Sequence, residues 1–227
     1  MDLKKFYDSI RKTIPLTVKN VKGFDFILSE ALKYNLPLNY LAYILATTYH
    51  ETAATMQPIA EYGKGRGRKY GVKGKYSQIP YGRGYVQLTW DYNYEKADKE
   101  LGLDGALLKD FDLALDPKYA VRILFTGMLQ GWFTGKKLPD FIDSVDEDDV
   151  EDGREFEESR RIINGVDKKK LIASYALVFE KALKAAGYAL KDTQEPVQEV
   201  QVKNEVEVPS EVNPSVRPSD SFSGTID

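Results

Sequence analysis

Two glutamates, Glu51 and Glu61, stand ten residues apart with Pro58 between them. Glu51 belongs to the run Tyr49-His50-Glu51-Thr52 at the end of an apolar stretch, and Glu61 opens a glycine-rich one. Two carboxylates across a groove are what glycosidic hydrolysis needs. One is protonated and assists the leaving oxygen; the other is ionised and activates water or attacks carbon. On an unbroken helix, ten residues would separate the two by roughly 15 Å along the axis. Pro58 disfavours helix at Gln57 and lets the chain fold back, which shortens that distance. The apolar neighbours Leu45 and Tyr49 suit Glu51 to the acid's part. The cations that follow Glu61 suit it to the ionised part.

A second run, Tyr81-Gly82-Arg83-Gly84-Tyr85-Val86-Gln87-Leu88-Thr89-Trp90, continues into Asp91-Tyr92-Asn93-Tyr94. Its glycines permit tight turns or a close approach of backbone to ligand. Gln87, Thr89 and Asn93 carry neutral groups that match sugar hydroxyls and N-acetyl amides. Tyr85, Trp90 and Tyr92 carry flat apolar faces that pack on sugar rings, and His50 and Arg83 complete the candidate binding set. Each aromatic taken alone fits a core position equally well.

Other chemistries are constrained by composition. The chain has no cysteine, so it has no disulfide, thiolate metal site or cysteine nucleophile. One histidine, His50, excludes a His-rich zinc site and disfavours a Ser-His-Asp triad. The formal net charge of −3 opposes general affinity for nucleic acid. No apolar run approaches the roughly 18 residues of a spanning helix, so no membrane insertion is expected. Residues 1–14 lack the apolar core of a secretory signal, so synthesis in the cytoplasm, without a signal peptide, is expected. Seven acids lie between Asp143 and Asp152. A calcium loop fails there, because Val150 falls at the third ligand position when Gly153 is set at the sixth. No metal or other cofactor is expected, since hydrolysis by two carboxylates needs none.

The elements that must position these residues read as helices. Phe24, Ile27, Leu28, Ala31 and Leu32 recur at helical spacing, as do Leu38, Leu41, Ala42, Leu45 and Tyr49. The second of these helices is expected over about 37–56, with Pro37 in its first turn. Residues 61–85 break the pattern with seven glycines and read as a long loop that admits short strands. Helix resumes over about 92–101, then from Asp116-Pro117 to about Phe133, then near 155–163. A last helix starts at a cap on Asp167 and stops at Gly187. The fold class is mainly α with an irregular insert, and residues 1–190 form one domain. Residues 191–227 carry four prolines and a single aromatic, Phe222. That tail is disordered or partner-bound. Val200, Val202, Val206 and Val208 alternate around Lys203-Asn204, which suits a short hairpin or a strand that pairs with a partner.

The runs 42–52 (AYILATTYHET), 56–63 (MQPIAEYG), 81–94 (YGRGYVQLTWDYNY), 116–133 (DPKYAVRILFTGMLQGWF) and 160–166 (RRIINGV) come in a recognisable order. Together they resemble the glycoside hydrolases of family 19, the chitinase-like enzymes, and especially their lysozyme-like phage and bacterial members (endolysins). The resemblance covers roughly residues 35–187. It implies a bilobal, mostly helical lysozyme-like fold with a groove between the lobes, and an inverting mechanism. It implies that Glu51 is the general acid and that Thr89 holds the attacking water. Gln87, Tyr92, Asn93 and Asn164 match substrate-groove positions. In plant chitinases the general base lies farther along the chain. The lysozyme-like branch uses a shorter spacing, which carries the role to Glu61.

Lys64, Arg66, Arg68, Lys69, Lys73, Lys75 and Arg83 follow Tyr62 with no acid among them. Peptidoglycan bears stem-peptide carboxylates and chitin bears no charge, so a cationic rim favours peptidoglycan. The expectation is a peptidoglycan-degrading, lysozyme-like muramidase encoded by a phage, acting on the host cell wall as a free endolysin or as a virion-associated enzyme. In the latter case residues 193–227 would tether it to a virion or tail protein. The alternatives are a chitinase acting on N-acetylglucosamine polymers and a non-catalytic virion protein that keeps the fold.

Overall fold

The computed structural model describes residues 1–143 and 149–189. The tail with its alternating valines, and residues 144–148 of the acidic run, lie outside the described residues.

The chain is mostly helical, as its periodicity predicts. The helices are α1 (Leu3–Ile10), α2 (Val18–Tyr34), α3 (Leu38–Glu51), α4 (Asp91–Glu100), α5 (Ala106–Lys109), α6 (Pro117–Gln130), α7 (Asp149–Glu158) and α8 (Lys169–Ala185). Two two-residue strands, β1 (Ile59–Ala60) and β2 (Arg83–Gly84), pair antiparallel in the insert, Ile59 opposite Gly84 and Ala60 opposite Arg83. Helix α3 is central. Every residue from Leu41 to Tyr49 is buried, which suits a sequence that is apolar but for Thr47 and Thr48. Helix α8 packs on α3, α7 and α1. The chain ends of this bundle are tied by Asp2 N–H donating to Ala186 O at 2.7 Å and by the Tyr188 hydroxyl donating to Leu36 O at 2.8 Å. Helices α4 to α6 gather beside the strand pair and complete the core through Tyr94, Phe111 and Phe125. The stacked pair Tyr94–Phe111, with ring centroids 4.0 Å apart, locks α4 to the short 3-10 turn that precedes α6.

Most helix ends fall where local chemistry places them. The Asp116 carboxylate accepts from Lys118 N–H, Pro117 opens α6, and Gly131 closes it in the left-handed region at φ 73°. Helix α7 (Asp149–Glu158) lies ahead of the expected 155–163, of which Ser159–Ile162 is a 3-10 turn. Two further ends differ from expectation. Helix α3 stops at Glu51, five residues before 56. Thr52 Oγ1 donates to Thr48 O at 2.7 Å and accepts Met56 N–H at 3.0 Å, a side-chain route that competes with continued helix. Ala53, Ala54 and Met56 then take positive φ. The turn is clamped from α2. Asn20 Nδ2 donates to Ala54 O, and Gln57 Nε2 donates to Lys19 O. Gly23 leaves the space in which any Cβ would strike Met56 O. The second difference is at α8. Its cap residue is Lys168 at φ 60° with no side-chain bond, and the Asp167 carbonyl instead accepts from Arg160.

Candidate active site

The early end of α3 makes Glu51 its last helical residue, at the mouth of the buried bundle. Its carboxylate is 18% exposed, and Oε1 accepts from Arg160 Nη1 at 2.7 Å. Arg160 is itself 2% exposed and donates from Nε to Asp167 O at 3.0 Å. The apolar pocket expected for Glu51 is therefore replaced by an ion pair with a buried guanidinium. Arg160 lies in the 3-10 turn Ser159–Ile162 after α7, and its carbonyl accepts Asn164 N–H at 3.0 Å. The whole Arg-Ile-Ile-Asn-Gly run is thus folded around the residue that holds Glu51. Arg160 is the functional residue that the sequence reading missed. Its signal was its place in that run. His50, next to Glu51, is half-buried, and burial pushes its imidazole below the usual histidine range, with Glu51 opposing.

Glu61 follows β1 directly. Its backbone N–H donates to Gly82 O at 2.7 Å, which extends the strand pairing by one residue. Its carboxylate takes two donors. The Tyr70 hydroxyl reaches Oε1 at 2.8 Å and the Gly82 N–H reaches Oε2 at 3.1 Å. Neither donor is a cation, although cations surround it in sequence.

The segment 81–94 forms the neighbouring wall. Gln87 takes φ 55° and Trp90 φ 73°. Such conformations cost roughly 1–3 kcal/mol for non-glycine residues and gather at functional sites. Gln87 Nε2 donates to Ile59 O at 3.0 Å and to Gly84 O at 3.3 Å, so its amide donors brace the strand pair. The Thr89 hydroxyl donates to Gln87 O at 2.7 Å, and Asn93 Nδ2 donates to Thr89 O at 2.8 Å. The three polar residues are chained one to the next, and Thr89 and Asn93 remain half-buried. Trp90 is 36% exposed and Tyr92 62% exposed. Their rings stack at 6.2 Å with 17° between planes, and Tyr70 meets Trp90 edge-on at 5.3 Å. Asn164 is exposed on its turn, where its side-chain oxygen accepts Gly165 N–H.

Two expected binding residues are placed elsewhere. Tyr85 is 1% exposed and is spent on the core, so it offers no face to a sugar. Arg83 is 4% exposed. Its Nε donates to Asp112 at 2.7 Å, its Nη1 serves Ile79 O, Tyr81 O and the Tyr94 hydroxyl, and its guanidinium lies 3.4 Å over the Tyr81 ring. A buried guanidinium with those partners is a strut of the loop rather than an exposed ligand contact. Lys75 pairs with Glu95 at 2.9 Å. Among the described residues, Lys64, Arg66, Arg68, Lys69 and Lys73 are exposed and enter no ion pair. Also among the described residues, no cluster of acids or histidine forms a metal site, and no helix is long and apolar enough to cross a membrane.

Placed against solved structures, the fold is similar to that of chitinase C from Streptomyces griseus HUT6037. The TM-score is 0.52 at 20% identity, over 84% of this chain and 78% of that one. The likeness shows the class of fold: a mainly helical architecture shared with that chitinase. No protein-family model matches the sequence, and no curated protein sequence matches it.

Proposed function

We propose that the chain is a glycoside hydrolase that cuts the glycan strands of peptidoglycan with inversion. Glu51 is the acid, Glu61 the base, and Thr89 the hydroxyl that holds the attacking water. The observation that carries this reading is the separate fixing of the two carboxylates. Glu51 is held by buried Arg160, and Glu61 is held by Tyr70 and Gly82, on a fold shared with a chitinase. Two fixed carboxylates are what the two roles require; which of them is acid and which base follows the resemblance of the runs that carry them. Trp90 and Tyr92 supply the sugar platform, with Asn93 and Asn164 along the groove. Preference for peptidoglycan is supported by the five exposed, unpaired cations that follow Glu61. The likeness of segments 81–94 and 160–166 to lysozyme-like phage enzymes supports a lytic or wall-penetrating role, with residues 193–227 as a tether.

A chitinase is the second reading, favoured by the named activity of the structural neighbour. Mass spectrometry of digests of purified peptidoglycan, with wild type and Glu51→Gln in parallel, tests both. Muropeptides with reducing N-acetylmuramic ends, absent from the variant digest, establish the muramidase. Intact peptidoglycan beside cleaved chitin oligomers establishes the chitinase.

A further inference from the structure

Among the described residues, the longest stretch without regular structure, residues 61–82, holds Tyr70 at its middle. Successive turns stiffen it: Lys64 N–H donates to Glu61 O, Arg66 N–H to Gly63 O, Arg68 N–H to Gly65 O and Gly71 N–H to Arg68 O. Gly65 is buried against Gly71 and the Tyr70 ring, and a Cβ on Gly71 would strike Gly65 O. The glycines therefore close the loop on itself and fix where Tyr70 stands. From there its two ends do different things. The hydroxyl donates to Glu61 Oε1 at 2.8 Å, and the ring edge rests on Trp90 at 5.3 Å. Burial and the Glu61 carboxylate both push the Tyr70 phenol above its usual range, so it stays a proton donor to Glu61 at any working pH.

We propose that Tyr70 is a positioning residue for Glu61, one that ties the base to the Trp90–Tyr92 platform where a sugar would stack. With Gly82 N–H on Oε2, the Tyr70 hydroxyl on Oε1 leaves the carboxylate one orientation. A carboxylate that activates water must keep a lone pair aimed at it, and a misplacement of about 1 Å can cost on the order of 100-fold in rate. A sugar on Trp90 presses the surface that Tyr70 backs, so occupancy of the platform and orientation of the base are linked. This rests on Glu61 being the base.

Tyr70→Phe keeps the ring on Trp90 and Gly65 and removes only the hydroxyl. On the full-length protein, kcat is expected to fall about 10- to 100-fold with KM within about twofold. In a Glu61→Gln background, Tyr70→Phe is expected to add less than about twofold, because a residue acting through Glu61 has nothing left to act on. Tyr70→Phe with wild-type kcat, in a protein that Glu61→Gln inactivates, overturns the role of Tyr70 alone. Additive losses in the double variant overturn it too, since they give Tyr70 an effect independent of Glu61. Unchanged turnover in Glu61→Gln itself removes the reading of Glu61 as base, a separate failure. Should Tyr70→Phe melt early, the rise of Trp90 fluorescence changes on adding substrate, measured below the melt, still separates binding from turnover. Trp132, the other tryptophan, is buried and is a steady background.

Discussion

Arg160 and Glu51 are 109 positions apart in sequence and 2.7 Å apart in space, with the guanidinium buried and the carboxylate at the mouth of the bundle. The bond joins the end of α3 to the turn that follows α7, so the position of the carboxylate depends on two elements that both pack on α8. Tyr43 of α3, stacked on Phe156 of α7 at 6.1 Å, reinforces the same junction. Glu51→Gln retains an oxygen for Arg160 Nη1 while losing the transferable proton. Turnover is expected to fall by a factor on the order of 100 or more, with melting little changed. Arg160→Ala leaves the carboxylate without its partner and opens a void, and is expected to cost about 3–5 kcal/mol. Parallel melting curves and turnover numbers check both. Unchanged turnover in a folded Glu51→Gln removes the acid assignment.

The distinction between these two residues shows what the sequence could carry. Glu51 was legible, because an apolar helix, a proline and a second glutamate all lie within eleven residues of one another. Arg160 was not, because its place in the run 160–166 does not say which residue 109 positions away it would hold. The same split runs through the fold. The start of helix α6 was legible from Asp116-Pro117, which acts through its own backbone, whereas its end, expected near Phe133, falls at Gln130. The end of α3 was misplaced because Thr52 diverts its hydroxyl to the backbone, a choice made only once Asn20 and Gly23 of α2 close on the turn. Arg83 and Tyr85 read as ligand-facing because composition does not say which side of a two-residue strand meets the core.

Arg83 provides a direct test of that correction. Its replacement by alanine removes one donor each from Asp112, the Tyr94 hydroxyl and the carbonyls of Ile79 and Tyr81. Loss of about 1–3 kcal/mol is expected from the lost hydrogen bonds and packing, since Asp112, 61% exposed, can turn to water. A substrate-contact role would instead leave melting alone and raise KM. Denaturant titration with a Michaelis curve on the same sample separates the two outcomes.

Trp90 and Tyr92 behave in the opposite way, since both are exposed and neither supports the core. Trp90→Ala is expected to raise KM about tenfold, by about 1–1.5 kcal/mol of lost stacking, with melting shifted little. Kinetics on chitin or peptidoglycan fragments of increasing length check it. A KM that does not move on any fragment would falsify the platform.

The α7–α8 interface carries a pH dependence of its own. Asp152 and Glu180 are 1% and 0% exposed, on α7 and α8. Burial first, and the Asp152 carboxylate second, push the Glu180 carboxyl up to about 7, against the pull of Lys184 at 3.2 Å. The exposed pair Lys181–Asp149 spans the same two helices at the surface. With its folded pKa above the unfolded value of 4.5, Glu180 binds more protons in the folded state than in the unfolded one. The stability it contributes is therefore fully present below about pH 4.5 and is lost as pH rises through about 7. Melting temperature is expected to decline by several degrees from pH 5 to pH 8. Glu180→Gln, neutral throughout, is expected to flatten that decline; a slope that survives the substitution assigns it to other groups.

The unpaired cations of the loop after Glu61 make the choice of substrate measurable. Among the described residues, Lys64, Arg66, Arg68, Lys69 and Lys73 have no carboxylate partner within 4 Å, and no acid stands between Tyr62 and Arg83 in the sequence. Exposed cations at this density attract an anionic polymer over about one Debye length, roughly 8 Å at physiological salt. Replacing Arg66, Arg68 and Lys69 by glutamine is expected to lower kcat/KM on peptidoglycan about 3- to 10-fold at low salt. The difference should vanish near 0.5 M salt, where the wild type is screened as well. Turnover of neutral chitin oligomers should not change at any salt, because the three side chains hold no contact in the loop's framework. Equal losses on both substrates would mean that the loop had been disordered instead, and loss on neither would move the charge preference away from this rim and with it the case for peptidoglycan over chitin.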